Sequence, residues 1–128
     1  MRVDTTHVIL RAFDQPDETR TFELGRFDLI TLGGMTIGRA TYYPGWRWSE
    51  HVGNLTGATH CTVEHVGLVL SGHATVEGRD GVVHHLTAGT LFHVTPDPHD
   101  SRVVGDETYV SLHFLGAGAY ARSDHDDA

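Results

Sequence analysis

Two stretches of sequence decide the fold of this chain. They are residues 44–72, PGWRWSEHVGNLTGATHCTVEHVGLVLSG, and residues 96–100, PDPHD. In them His51 follows Gly45 with five residues between, His65 precedes Gly72 with six residues between, and His99 lies in a proline-flanked turn. The chain has 11 histidines, and a neutral imidazole is a good ligand for transition metals. This layout suits a metal held between neighbouring β-strands.

Length and charge limit the class of protein. A chain of 128 residues is enough for one domain with one core. A net charge of −8 with only 9 Lys+Arg leaves no basic stripe, so we expect a small-molecule partner and neither nucleic acid nor membrane. The single cysteine, Cys61, excludes an internal disulfide. No apolar stretch reaches signal-peptide or membrane-spanning length, and we expect a cytoplasmic protein.

Short β-rich runs separated by Gly, Pro and Asp predict an all-β, antiparallel sandwich or barrel. The Asp80-Gly81 pair is typical of a tight hairpin turn. We expect one domain over residues 1–128, with an N-terminal arm at 1–25, a barrel at 26–117 and an acidic tail at 118–128. The predicted strands are residues 7–10, 20–24, 27–32, 35–43, 46–51, 61–70, 74–77, 82–86, 91–94, 101–104 and 108–115.

The first stretch resembles the first motif of the cupin family. That motif is written Gly, five residues, His-x-His, three or four residues, Glu, six residues, Gly. Gly45 and His51 match its start, and His65 and Gly72 match its end, with His65 where glutamate is usual. Two departures stand out: Gly53 replaces the second histidine, and an insertion, NLTGATH, occupies residues 54–60.

The second motif of that family, roughly Gly, five residues, Pro-x-Gly, two residues, His, is matched more loosely. Gly89, Pro96 and His99 fit it, and Pro98 stands where the last glycine is usual. The resemblance covers about residues 35–115. It implies a small single-domain cupin, an antiparallel β-barrel or double-stranded jelly roll.

Strand alternation sorts the candidate ligands around the insertion. Side chains two apart on a strand share a face, so Cys61 and His65 point into the barrel together. Glu64 then points outward, as a surface or inter-subunit residue. His60 reaches inward if the insertion ends in a bulge. The predicted ligands are therefore His51, His65 and His99, with His60, Cys61 or water completing the set.

The remaining histidines are weighed against a structural role. His93 and His113 lie on strands that resemble barrel strands of the family, so each is either a proton shuttle in the pocket or structural. Trp46 and Trp48 share a face and either pack in the core or line the mouth of the pocket. No role is assigned to the other histidines, His7, His73, His84, His85 and His125.

The resemblance implies one divalent transition metal, either zinc, iron, nickel or manganese. The implied function is an enzyme that performs dioxygenase-type or Lewis-acid (isomerase or cyclase) chemistry on a small molecule. The alternative is a non-catalytic small-molecule-binding or sensory cupin, and fold alone does not choose. Val66, Leu68 and Leu70 form an apolar run opposite the His65 face, so we also expect a homodimer.

Overall fold

Nine β-strands and two one-turn helices make up the part of the chain that the structure describes. The structure is a computed structural model, and it describes residues 6–121. Within these residues no helix is both long and apolar enough to cross a membrane. The elements in chain order are β1 (Glu18–Phe22), β2 (Gly25–Leu32), β3 (Met35–Tyr42), α1 (Trp48–His51), α2 (Gly53–Thr56), β4 (His65–Ser71), β5 (His73–Gly78), β6 (Val83–Thr87), β7 (Leu91–Val94), β8 (His99–Val103) and β9 (Tyr109–Leu115).

The strands form two antiparallel sheets around a common interior. One sheet has the order β1-β2-β3-β9-β4-β7 and the other β6-β5-β8. The chain passes from the larger sheet to the smaller one at Gly72, which has a φ of 80°. A Cβ atom at Gly72 would lie 2.6 Å from the backbone oxygen of Thr108. Both the left-handed backbone and the close approach therefore require glycine at this crossing.

Strand β4 carries the alternation that places the site. His65, Gly67 and Val69 are buried, whereas Val66 and Leu68 are only partly buried. A Cβ atom at Gly67 would meet the ring of Phe92 and the backbone of β9, so only glycine allows these strands to approach so closely. Alternate residues of β4 thus face the interior, as the sequence predicts.

Stacked aromatic rings fill the interior between the sheets. The rings of Tyr42 and Trp46 lie 3.8 Å apart and nearly parallel, and Tyr120 packs against Phe27 at 4.8 Å. Trp46 and Trp48 are 1% and 4% exposed, so both tryptophans belong to the core. These rings pack in the core next to the candidate site that is described below.

The prediction of a strand over residues 46–51 is wrong, because this segment turns into helices α1 and α2. The carboxylate of Asp100 on β8 accepts hydrogen bonds from the backbone N–H and the hydroxyl of Ser49, at 2.9 and 2.7 Å. These bonds satisfy groups at the start of α1. Gly57, with a φ of 75°, ends α2. A contact from a distant strand thus overrides the local alternation.

The ends of the chain also differ from expectation. The prediction of a strand over residues 7–10 is wrong, since these residues are exposed and unpaired within the described chain. Strand β1 lies in the predicted N-terminal arm and pairs with β2. Tyr120 and Ala121, in the predicted tail, are buried in the core. His125 and the rest of the tail beyond residue 121 lie outside the described residues.

Candidate metal centre

Three potential metal ligands converge inside the barrel. The ligand atoms of Cys61, His65 and His99 all lie within 4.8 Å of one another, and all three side chains are buried. His65 begins β4 and His99 begins β8. Cys61 precedes β4 in the connection from α2. The structure therefore brings together two of the histidines predicted as ligands and one of the two alternative residues predicted beside them.

Backbone pairing fixes Cys61 against His99. The N–H of Cys61 donates to the carbonyl of His99 at 2.8 Å, and the N–H of His99 donates to the carbonyl of Cys61 at 3.0 Å. This reciprocal pair is an isolated antiparallel bridge. His65 then lies four residues along the chain on the same inward face as Cys61, with its Nε2 atom 3.5 Å from the Cys61 Sγ.

Hydrogen bonding indicates which ring nitrogens are available. The Nδ1 atom of His99 lies 2.8 Å from the carbonyl oxygen of Asp97, so it carries the proton and leaves Nε2 free. The Nε2 atom of His65 faces Cys61, and its Nδ1 atom is buried without a partner among the described residues. His99 thus has the carbonyl contact typical of a metal ligand, whereas His65 lacks one.

The donor set and its spacing fit a transition metal. A tetrahedral zinc ion with one sulfur and one nitrogen ligand separates those two atoms by about 3.5 Å, from bond lengths of about 2.3 and 2.0 Å. The observed 3.5 Å between Sγ and Nε2 matches that edge. One thiol and two imidazoles suit zinc or iron better than manganese, which prefers oxygen ligands.

Burial keeps the three groups uncharged in the protein alone. It lowers the pKa of His65 to about 2, with further lowering by His113 and His99. It also lowers the pKa of His99 and raises the pKa of Cys61 to about 11. Neutral imidazoles are the ligand form of histidine, whereas the thiol must lose its proton to bind a metal.

His51 and His60 lie outside the converging group. Helix α1 directs the Nδ1 atom of His51 back to the backbone of Arg47, whose N–H donates to it at 2.9 Å. The Nδ1 atom of His60 lies 3.2 Å from the hydroxyl of Thr59. The role of His51 as a ligand stays a prediction, and the geometry favours Cys61 over His60 as the residue beside His65.

Glu64 and His93 form a pair on the outside of the sheet. The Nε2 atom of His93 lies 2.8 Å from a carboxylate oxygen of Glu64, and both side chains are largely exposed. The outward position predicted for Glu64 therefore matches the structure. His93, a candidate proton shuttle, points away from the converging ligands.

His113, the other candidate, faces the interior from β9. Its ring lies 5.3 Å from that of His65 and packs edge-on against Phe27. The hydroxyl of Ser111 lies 3.1 Å from its Nε2 atom, and its Nδ1 atom has no partner among the described residues. Burial lowers the pKa of His113 to about 4, so it is neutral near pH 7.

Sequence reasoning missed a pair of tyrosines beside the ligands. The hydroxyls of Tyr42 and Tyr120 lie 2.6 Å apart, and the ring of Tyr120 packs edge-on against His65 at 5.1 Å. Burial raises the pKa of both hydroxyls well above 10, so both stay protonated. The sequence offers one signal for Tyr120, namely that this aromatic residue lies in a Gly/Ala-rich segment. That segment overlaps the predicted tail.

Two spaces with shared lining residues lie beside this group. The inner chamber, of about 40 Å³, is bounded by the three candidate ligands together with His113, the two tyrosines and both tryptophans. The outer cavity, of about 640 Å³, opens at the surface beside β6, β7 and the turn before β8. Both spaces are bordered by Val76, Leu86, Phe92, Val94 and His99.

No known family model matches the chain, and no curated protein is similar enough to it to count as a match. Solved structures do resemble it. A protein of unknown function from Rhizobium leguminosarum is 18% identical with a TM-score of 0.61, covering 86% of this chain and 97% of its own. A Klebsiella pneumoniae protein with a double-stranded β-helix domain is 17% identical with a TM-score of 0.54, covering 88% and 92%.

Oxalate decarboxylase from Lactobacillus farciminis is also similar, with 18% identity and a TM-score of 0.54 over 77% of this chain and 30% of that one. At such identities the likeness shows the fold alone. The chain is an antiparallel double-stranded β-helix protein. More particularly, it has the cupin-type fold, which confirms the fold predicted from the two motifs.

Proposed function

We propose that this protein binds one divalent transition metal through Cys61, His65 and His99 and acts as a metal-dependent enzyme on a small organic molecule. The observation that carries this proposal is the convergence of the three buried ligand atoms within 4.8 Å. Each of the three is a polar group whose burial is unfavourable, and a shared metal ion would compensate for that cost. The donor set favours zinc or iron, and nickel remains compatible with it.

The bound ion would supply Lewis-acid or redox chemistry, of the isomerase, cyclase or dioxygenase type. The protein's own residues surround the place where a substrate would react. Apolar side chains border both the chamber and the outer cavity, and His113 places an imidazole ring 5.3 Å from the ring of His65. His113 is therefore the proposed proton-transfer residue.

A non-catalytic binding or sensory protein is the second candidate. The small volume of the inner chamber favours it, since about 40 Å³ holds only about three water molecules. The two candidates differ in His113. In an enzyme, replacing His113 with Gln lowers turnover while leaving ligand affinity nearly unchanged; in a binding protein, no turnover exists to be lowered.

Metal analysis of protein purified without an affinity tag tests the metal site. We expect about one transition-metal ion per chain, and we expect Cys61→Ser, His65→Ala and His99→Ala each to reduce this occupancy at least tenfold. His60→Ala is the matched control, since it removes an imidazole next to Cys61 in the chain. His51→Ala tests the remaining predicted ligand, and the geometry predicts that metal survives it. Full occupancy in all three ligand variants would refute the site.

A further inference from the structure

The inner chamber contains hydrogen-bond donors that the chain itself does not satisfy. The pair formed by Tyr42 and Tyr120 has two hydroxyl protons, and only one of them lies in the bond between the two oxygens. In the described part of the chain neither hydroxyl has another partner. One O–H donor is therefore left over in this pair, and the ring of Tyr120 packs against that of His65.

Two indole groups add to this excess of donors. Trp46 and Trp48 both border the inner chamber, and neither indole N–H has a partner within residues 6–121. An indole nitrogen can only donate a hydrogen bond, so neither the proton of a histidine ring nor that of a thiol can be its partner. Buried donors without acceptors are costly, and three of them on residues that border one chamber point to a ligand that supplies acceptor oxygens.

The charge of the proposed metal site favours an anionic acceptor. A thiolate from Cys61 and two neutral imidazoles leave a divalent ion with a net charge of about +1. A single negative charge on the ligand would neutralise this buried centre, and charge-assisted hydrogen bonds from the hydroxyl and the indoles would be stronger than neutral ones.

The side chains shared by the chamber and the outer cavity are mostly apolar. Val76, Leu86, Phe92 and Val94 border both spaces. A ligand that extends from one space to the other would therefore contact these apolar side chains. The outer cavity, at about 640 Å³, lies within the range for sites that hold small organic molecules.

We propose that the ligand of this site is an organic monoacid with an apolar body. Its carboxylate occupies the inner chamber and accepts hydrogen bonds from Tyr120 and the two tryptophans, while its body lies against the shared apolar side chains in the outer cavity. This inference rests on the proposed metal site, because the charge argument requires the bound ion.

Calorimetric titration of the zinc-loaded protein with three related probes tests the ligand class. The probes are 3-phenylpropionate, its amide 3-phenylpropionamide, and propionate. We expect 3-phenylpropionate to bind at least tenfold more tightly than the amide, which lacks the charge, and at least tenfold more tightly than propionate, which lacks the apolar body. Equal affinity for the acid and the amide would overturn the proposal.

Variants distinguish hydrogen bonding by the chamber donors from simple electrostatic attraction of the acid to the metal ion. Tyr120→Phe removes the hydroxyl and should weaken 3-phenylpropionate binding at least fivefold, while zinc content stays nearly unchanged. Tyr43→Phe is the matched control, because Tyr43 lies at the surface outside the chamber. Trp46→Phe removes one indole donor and serves as a second variant if Tyr120→Phe does not fold.

Zinc content measured in the same samples distinguishes the two proposals. Wild-type protein that binds no zinc contradicts the metal site and, with it, the ligand class. Protein that binds zinc but shows no preference for the acid, or an unchanged acid affinity in both Tyr120→Phe and Trp46→Phe, contradicts the ligand class alone.

Discussion

At the scale of single residues, most of what the sequence predicts about the site comes from the alternation of side chains along the strands. It predicts that Cys61 and His65 share the inward face and that Glu64 faces outward, and the structure has all three in these positions. Alternation works here because one face of β4 is buried, so a shift by one residue would expose the whole core face.

The positions of His51 and Tyr120 could not be predicted in this way. His51 is turned aside by a helix whose first turn depends on the contact of Ser49 with Asp100, 51 residues further along the chain. Tyr120 is positioned by its hydroxyl contact with Tyr42, 78 residues away. Neither contact leaves a local pattern, because both arise only when distant segments pack together.

The family motif usually has glutamate where this chain has His65. Replacing the neighbouring Glu64 tests whether its carboxylate serves as a metal ligand instead. Because Glu64 faces outward and pairs with His93, we expect Glu64→Gln to retain full metal occupancy and to change the free energy of unfolding by less than about 1 kcal/mol. Metal analysis and urea denaturation measure both quantities. Loss of metal in Glu64→Gln, but not in His93→Gln, would show that the carboxylate reaches the centre.

At the scale of elements, the turn of residues 46–56 into α1 and α2 is the main departure from the predicted pattern. Arg47, Trp48 and Ser49 read locally as a strand, yet the Asp100 carboxylate captures the N–H and hydroxyl of Ser49. The neighbouring residue, His99, is a candidate ligand. The same end of β8 therefore anchors the helical turn and one side of the site.

Asp100→Ala should destabilise the protein through loss of this anchor. We expect a decrease of about 1–2 kcal/mol in the free energy of unfolding, the usual cost of removing a helix-capping carboxylate. Urea denaturation measures it, and Asp106→Ala, at an exposed turn position, is the control with an expected change within about 0.5 kcal/mol. If Asp100→Ala were as stable as the control, the anchor would have no role.

At the scale of the whole molecule, the two antiparallel sheets agree with the fold that the motifs predict. The outer surface of the larger sheet, in contrast, indicates a protein partner. The outer patch consists of Val66, Leu68, Leu70, Leu91 and Leu115 on neighbouring strands of the larger sheet. Leu91 and Leu70 are 72% and 48% exposed. We propose that a second copy of the chain covers this patch.

Light scattering coupled to gel filtration tests the homodimer. We expect twice the monomer mass for the natural sequence and a monomer for Leu91→Lys, because a charge in the centre of an apolar interface is costly to bury. Val82→Lys is the control, since Val82 is an exposed apolar residue in the hairpin between β5 and β6. A monomer mass for the natural sequence at all concentrations would contradict the dimer.

The metal centre is the central claim, and X-ray absorption spectroscopy of the zinc-loaded protein tests it most directly. The structure predicts one sulfur neighbour at about 2.3 Å and at least two nitrogen neighbours at about 2.0–2.1 Å, with the sulfur lost in Cys61→Ser. A spectrum with only nitrogen and oxygen neighbours, or one unchanged by Cys61→Ser, would contradict the site built from Cys61, His65 and His99.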